Sequence, residues 1–232
     1  MLLLNEGIET NKVRGNCLEV SSGEDKLFSV SAFKDGLFHV QDTASQISVE
    51  KAELLPKTRI LDMCSAPGGK AFTAAEIIGD DGEIIACDKY EKRTELISNG
   101  AKRLGLKSIK CKTADATVYN KDFGMFDSVL CDVPCSGLGV IRRKPEIKYK
   151  NFEEFQGLEK IQLEILNNAD NYLKVGGRLF YSTCTLRKAE NEGILNSFLD
   201  KHPCYELKYH HTYLPHIDKT DGFFCALLIK SR

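Results

Sequence analysis

The stretch Arg59-Ile-Leu-Asp-Met-Cys-Ser-Ala-Pro-Gly-Gly-Lys70 decides the fold. Arg59 to Asp62 has the character of a short buried strand, and the apolar spacing from Gly69 to Ile78 is helical. Two glycines opening a helix let the backbone approach a ligand closely and aim the helix N-terminus at an anionic group. Ligand sites of open α/β sheets lie at the carboxyl ends of strands, where this loop falls. Neither G-x-G-x-x-G nor G-x-x-x-x-G-K-[ST] occurs, which weakens a dinucleotide fingerprint and a P-loop nucleotide hydrolase alike.

Outward from this loop, short apolar runs alternate with helical patterns, the signature of a parallel sheet flanked by helices. Strands are predicted at 83–88, about 108–112, 126–131, 179–182, 205–209 and 223–229, which with 59–62 make seven. Helices are predicted at 92–104, stopped by Gly105, at 153–173 and at about 188–199. Val175-Gly-Gly-Arg178 reads as a turn into the fifth strand. Ahead of the sheet, 36–40 alternates like a strand and 41–54 reads as a helix. Residues 1–35 do not share the rhythm and read as an appendage, with Ser21-Ser-Gly-Glu-Asp25 as a turn between two short strands. The main domain is expected over 36–232.

The 232 residues hold 32 Lys+Arg against 33 Asp+Glu, so any polyanion site must be local rather than a global positive field. Hydrophobic residues at 42% and charged residues at 28% suit a soluble globular protein and exclude a disordered chain. Met1-Leu-Leu-Leu-Asn-Glu-Gly7 has no basic residues before a short apolar run, so neither a signal peptide nor a membrane span is expected, and a cytoplasmic location is. Nine cysteines without a C-x-x-C pair argue against a disulfide framework and a zinc ribbon. Cys87, Cys111, Cys131 and Cys225 lie in apolar runs and read as small buried hydrophobes. Cys64, Cys135 and Cys184 lie in loops and ask for another account. His210-His211 has no third ligand nearby in the sequence, so a surface pair and no metal is expected.

Asp88 closes the second strand of the sheet, 19 residues after Gly69, a spacing that suits a carboxylate accepting from ribose hydroxyls. NAD and S-adenosylmethionine both carry them, and spacing alone does not separate the two. Asp115, just after the third strand, is placed to meet an adenine amino group. Asp132-Val-Pro-Cys-Ser-Gly137 ends the fourth strand and Ser182-Thr-Cys184 the fifth. If these strands neighbour the first, Asp132, Cys135 and Cys184 converge on the glycine loop. Arg142-Arg-Lys144, with Lys148, Tyr149 and Lys150, sets five positive charges and an aromatic beside that rim, a pattern suited to a nucleic-acid strand. Lys102, Arg103, Lys107, Lys110 and Lys112 read as solvated helix and edge residues.

Together Asp62 to Lys70, Asp132 to Gly137 and Ser182 to Cys184 resemble the RsmB/Sun family of S-adenosylmethionine-dependent RNA cytosine-5 methyltransferases. Gln41-Asp-Thr-Ala-Ser45, Gly139 to Lys148 and Asp221-Gly-Phe-Phe224 extend the resemblance over about 36–230, and Gly139 to Lys148 is most similar to the bacterial RsmB branch, which methylates small-subunit ribosomal RNA. The resemblance implies a Rossmann-like class I methyltransferase fold, α/β with a seven-stranded, mostly parallel sheet and helices on both faces. It implies that Cys64, Ser65, Ala66, Pro67, Gly68, Gly69 and Lys70 wrap the methionine end of S-adenosylmethionine, that Asp88 holds the ribose, and that Arg93 joins the cofactor site. Asp115 would contact the adenine, and Asp132 would lie near the methionine amine and the target base. Cys184 is implied as nucleophile and Cys135 as the thiol assisting product release, although DNA cytosine methyltransferases use their Pro-Cys thiol and leave the reverse assignment open. Arg142, Arg143, Lys144 and Lys148 are implied RNA contacts, with small-subunit ribosomal RNA as partner and a monomer as the expected state.

The chemistry explains these residue types. Carbon 5 of cytosine is a poor nucleophile until a thiolate adds to carbon 6. Addition is eased by a proton held at N3, a task for Asp132 if burial raises its carboxyl. An ordinary thiol is only a few per cent ionised at neutral pH, so Cys184 needs an electropositive pocket, and the target base must leave its stack. Members of the family carry an RNA-binding region before the Gln-Asp element, where this chain has about 35 residues. That departure motivates an alternative, a cofactor-binding but catalytically incompetent RNA-binding fragment. An NAD-dependent dehydrogenase rests on the glycine loop and Asp88 alone and leaves Cys135, Cys184 and 142–144 unexplained. Ser65 and Glu146 are mild departures from the family's common Ala and Asp.

Overall fold

A computed structural model describes residues 2–231. In chain order the elements are α1 (Leu2–Asn5), β1 (Glu9–Arg14), β2 (Cys17–Ser22), α2 (Ser31–Lys34), α3 (Thr43–Glu50), β3 (Arg59–Asp62), α4 (Gly69–Ile77), β4 (Glu83–Asp88), α5 (Glu91–Leu104), β5 (Ile109–Thr113), β6 (Phe126–Asp132), α6 (Leu158–Asp170), β7 (Leu173–Thr183), α7 (Glu192–Lys201), β8 (Tyr205–Tyr213), α8 (Pro215–Asp218) and β9 (Phe223–Lys230). Seven strands form one sheet in the order β5-β4-β3-β6-β7-β9-β8, and β9 is antiparallel to both of its neighbours while the remaining pairings are parallel.

Strands buried on both faces need apolar residues at successive positions, and the pleat sends them alternately to two cores. Leu61, Ile85, Val129 and Cys131 pack with Ile165 and Leu166 of α6 and Ile194, Leu195 and Phe198 of α7. Ile60, Ile84, Ala86 and Leu130 pack on the other side with Val49 of α3, Phe72 of α4 and Ile97 and Ala101 of α5. Helices therefore cover both faces, as the fold class expected from the sequence requires. The order places β3, β6 and β7 side by side, so their carboxyl ends share a rim.

Several local expectations are corrected. The turn of the N-terminal hairpin falls at Gly15, φ +47, and not at 21–25, which includes a 3₁₀ turn after β2. Residues 36–40 form no strand: Arg103 of α5 donates to the carbonyls of Phe33 and Phe38, at 2.6 and 3.0 Å, and spends the backbone there as a tether. Arg103 is thus half-buried over the Phe33 ring rather than a solvated charge. The helix predicted at 153–173 is shorter, 158–170, because Gly157 in the left-handed region separates it from a 3₁₀ turn. Val175-Gly-Gly-Arg178 is no turn either; β7 is continuous there, with a register shift opposite 126–128 that absorbs the extra residues as a bulge. The helix predicted at 188–199 starts at Glu192 and runs to Lys201, and the sheet's edge strand β8 runs on to Tyr213. The segment 1–35, expected as an appendage, contacts the main domain: Cys17 meets Gln46, and Arg14 pairs with Glu50, both on α3.

Candidate active site

The rim is built from five strand ends. After β3 the backbone turns back on itself: the Ser65 N–H donates to the Cys87 carbonyl at 2.7 Å and the Gly68 N–H to the Ser65 carbonyl at 2.8 Å. A side chain at Gly68, φ +112, would run into the Phe72 ring, so only glycine lets this loop close over α4. Arg93 of α5 fixes the loop from outside, donating to the Ala66 carbonyl at 2.8 Å and pairing with Asp88 at 3.3 Å. Asp115 pairs with Lys89 at 2.8 Å and accepts from Thr117, and these bonds, Lys89 foremost, hold its carboxyl down to about 2. A narrow cleft beside it is lined by Leu61, Met63, Cys87, Ala116, Phe123 and Tyr172.

Asp62 heads the loop, a position to which the sequence pattern assigns no role. It is fully buried, and neither of its oxygens, nor the Ser65 hydroxyl, closes a hydrogen bond. Burial pushes its carboxyl up to about 7, with the Asp132 charge adding to the rise and the Lys70 charge opposing it. Buried polar atoms in folded proteins are nearly always paired, so this set is shaped for a bound group carrying hydrogen-bond donors. S-adenosylmethionine carries an ammonium group, ribose hydroxyls and an adenine. Asp62 and Ser65, the Arg93-braced Asp88, and the cleft beside Asp115 fit those three parts. Cys64 is pushed well up by burial and so remains a thiol.

Across the rim, Lys70 reaches Asp132 at 2.7 Å, and Ser182 donates to the other Asp132 oxygen at 2.7 Å. The structure sets Asp132 in an ion pair with Lys70, and beside it burial raises the Asp62 carboxyl. Cys135 and Cys184 approach to 3.2 Å between sulfurs, and all nine cysteines are free. Cys135 is raised well above an ordinary thiol by its hydrogen bond to Cys184 and by burial, while Cys184 is lowered by that bond, with burial and Asp132 opposing the shift and Lys70 adding to it. The carbonyl of Cys184 accepts from the Gly139 N–H at 3.0 Å, and the Gly139 carbonyl accepts from Gly222 at 2.9 Å.

The predicted cationic segment lies on the surface after β6. Arg142 and Arg143 both pair with Asp221, which is 1% exposed, so they brace the 221–222 loop while keeping exposed faces. Lys144, Lys148 and Lys150 are exposed, and Tyr149 is 86% exposed. Asp42 caps α3 through the Ala44 N–H, and burial followed by the neighbouring Asp221 charge raises its carboxyl. His210 and His211 are exposed on β8, and among the described residues no group of three acidic, histidine or cysteine side chains is arranged to hold a metal. No helix among them is long and apolar enough to cross a membrane.

The family model described as 16S rRNA methyltransferase RsmB/F matches residues 51–229. The chain is similar to the probable ribosomal RNA small subunit methyltransferase B of Bacillus subtilis, 34% identical over 97% of this chain and 55% of that protein. It is also similar to the ribosomal RNA small subunit methyltransferase B of Klebsiella pneumoniae, 37% identical over 88% of this chain and 49% of that one. The chain spans about half the length of these curated relatives. Among solved structures, NSun6 from Pyrococcus horikoshii with SFG superposes with a TM-score of 0.83 at 30% identity, covering 94% of this chain and 60% of that one. A methyltransferase homolog protein from the same organism gives 0.84 at 26%, covering 98% and 80%. With the family model matching more than half of the residues and the Gly-loop, Asp-x-Pro-Cys and Thr-Cys elements meeting on one rim, the chain belongs to the RsmB/F family of 16S rRNA methyltransferases.

Proposed function

We propose that this chain transfers a methyl group from S-adenosylmethionine to carbon 5 of a cytosine in RNA, with small-subunit ribosomal RNA as the substrate class, through a covalent bond from Cys184 to carbon 6. The observation that carries the reading is the Cys135–Cys184 pair at 3.2 Å beside the Lys70–Asp132 ion pair. Two hydrogen-bonded loop thiols of which one is lowered suit covalent addition to a pyrimidine, which needs an ionised thiol. Family membership and the SFG complex of a relative support S-adenosylmethionine over a nicotinamide cofactor.

Asp62, Ser65, Asp88 and the loop from Cys64 to Lys70 would hold the cofactor, with Arg93 bracing Asp88 and Asp115 edging the adenine cleft. When bound, it supplies the methyl group on a positively charged sulfur. The remaining work falls to side chains. Cys184, lowered by Cys135 and Lys70, is the thiolate that adds to carbon 6, and the displaced electron pair makes carbon 5 nucleophilic. Asp132, steadied by Lys70 and Ser182, accepts a hydrogen bond from the base edge and favours a proton at N3. After transfer, the carbon 5 proton leaves to water as the carbon–sulfur bond breaks, and the Cys135 S–H stabilises the departing Cys184 thiolate. Arg142, Arg143, Lys144 and Lys148 grip phosphates beside an unstacked base. The unit acts as a monomer of a main domain over 36–232 with residues 1–35 docked on it.

Tritium transfer from labelled S-adenosylmethionine to unmodified small-subunit ribosomal RNA tests the proposal with wild type, Cys184→Ala and Cys135→Ala side by side. Transfer lost in Cys184→Ala, with a protein–RNA adduct accumulating in Cys135→Ala, is expected. The opposite pattern would reverse the thiol roles. Cofactor binding without transfer in wild type would favour a catalytically silent RNA-binding unit, the reading motivated by the span of about half of the curated relatives.

A further inference from the structure

Behind the two thiols lie five polar side chains that the proposed chemistry does not use: Ser136, Gln162, Thr185, Glu190 and Asn191, each at most 3% exposed. Burying so many polar groups is costly unless they are wired together, and here every one of the five takes part in hydrogen bonds, with only the Gln162 Oε1 left unpaired. The Ser136 and Thr185 hydroxyls meet at 2.8 Å, joining the residue after Cys135 to the residue after Cys184. Glu190 accepts from the Ser136 N–H and from Gln162, both at 2.9 Å, and Gln162 also donates to the Pro134 carbonyl at 2.9 Å. The Cys135 loop is thus held on both sides of its thiol. Asn191 does the same for Cys184: it accepts from the Thr183 hydroxyl at 2.6 Å and donates to the Thr185 carbonyl at 3.0 Å. Arg187 neutralises Glu190 at 3.0 Å, so the carboxylate is buried as part of an ion pair.

We propose that Glu190 and Asn191, acting through the Ser136–Thr185 hydroxyl bridge, are positioning residues that set the separation of Cys135 and Cys184 and so the reactivity of Cys184. This rests on Cys184 being the reactive thiol of the proposed function. A sulfur–sulfur hydrogen bond weakens steeply with distance, so two loops free to part would lose it. The groups facing Cys184 are Cys135, Lys70 and Asp132, and of these only Cys135 sits on a loop that the network holds. All five side chains are buried behind the thiols, so the role assigned to them is exerted through Cys135 and Cys184 rather than on the reacting atoms.

The test is the pH profile of Cys184 alkylation by iodoacetamide, followed by mass spectrometry on the intact chain, together with cofactor affinity, melting temperature and the kcat against KM split for methyl transfer. Ser136→Ala, Thr185→Val and Glu190→Gln are each expected to slow Cys184 alkylation at pH 7 about tenfold and to move its midpoint up by about one pH unit, a tenfold change in thiolate fraction. kcat should fall in proportion with the cofactor KM unchanged, and Thr185→Ser, which restores the hydroxyl, should recover the wild-type profile. Folded Ser136→Ala and Thr185→Val proteins with an unmoved Cys184 midpoint would overturn the proposal. Moved midpoints in a protein that transfers no methyl group would leave the positioning role standing and sink the function; transfer with unmoved midpoints would do the reverse.

Discussion

Asp62 places an acid where the end of an apolar strand would pack more cheaply with almost any other residue. A folded-state carboxyl raised to about 7, against an ordinary value near 4, binds a proton that the unfolded chain has already released between those pH values. Stability is therefore predicted to fall as pH rises from about 4 to 7 and to level off above. The full difference is about 4 kcal/mol at most. Asp62→Asn removes the titration: urea midpoints of variant and wild type should coincide near pH 4 and diverge upward to pH 8 in favour of the variant, while cofactor affinity falls. Identical pH dependence in both proteins would refute it. The residue was legible in part. Asp62, Asp88 and Asp132 all close strands; the spacing and motifs single out the second and third, whereas the signal for the first is a carboxylate ending a run of otherwise apolar residues. Glu190 and Asn191 gave no such signal, because a polar network behind a loop has no period and its partners are up to 54 residues apart.

Elements were legible where burial enforces a period. The strand runs at 59–62, 83–88 and 126–132 and the α5 helix follow the sequence reading closely, since each must fill one or both cores. The failures at 36–40 and 175–178 came from segments whose backbone groups are used by something distant: Arg103 in one, a strand bulge in the other. A similar long-range constraint governs the loop between β6 and α6. A Cβ at Gly139 would stand 1.9 Å from the Gly222 carbonyl oxygen and 2.8 Å from that of Cys184, both backbone atoms that cannot swing aside. Gly139→Ala is predicted to cost about 1–3 kcal/mol of stability, as overpacking does. Methyl transfer should fall further than stability explains, with cofactor affinity retained; calorimetry beside the transfer assay checks this, and full activity at a lowered melting temperature would contradict it.

At the scale of the molecule two sets of charges do different jobs. Arg103 ties residues 33–38 to α5, so Arg103→Ala is predicted to open 30–40 to limited proteolysis while the sheet stays protected from hydrogen exchange; unchanged cleavage there would count against the tether. Lys144 and Lys148 are exposed and free to meet phosphates. Each Lys→Ala should weaken RNA binding about equally across sequences and reduce the slope of log affinity against log salt by about 0.7 for a single strand. Arg143→Ala should also lower stability, because it strips one partner from buried Asp221. Titrations at several salt concentrations distinguish the two, and an unaltered slope in the lysine variants would remove them from the interface. Net charge alone showed none of this, since the sum over the chain is −1 and the patch is local.

The place of β9 between β7 and β8, although it follows both in the chain, has a bearing on how the protein is made. A nascent polypeptide that has reached only Thr220 can pair β3 to β7 in order of emergence, yet it leaves β7 with an open edge and Gly139 without Gly222 beneath it. The thiol pair is then assembled on a loop that still lacks its support, so half-made molecules on the ribosome are predicted to carry a Cys184 without its lowered character. Arrested chains ending at residue 220 should show Cys184 alkylation no faster than an ordinary thiol, whereas release of the strand that follows should switch it on in one step.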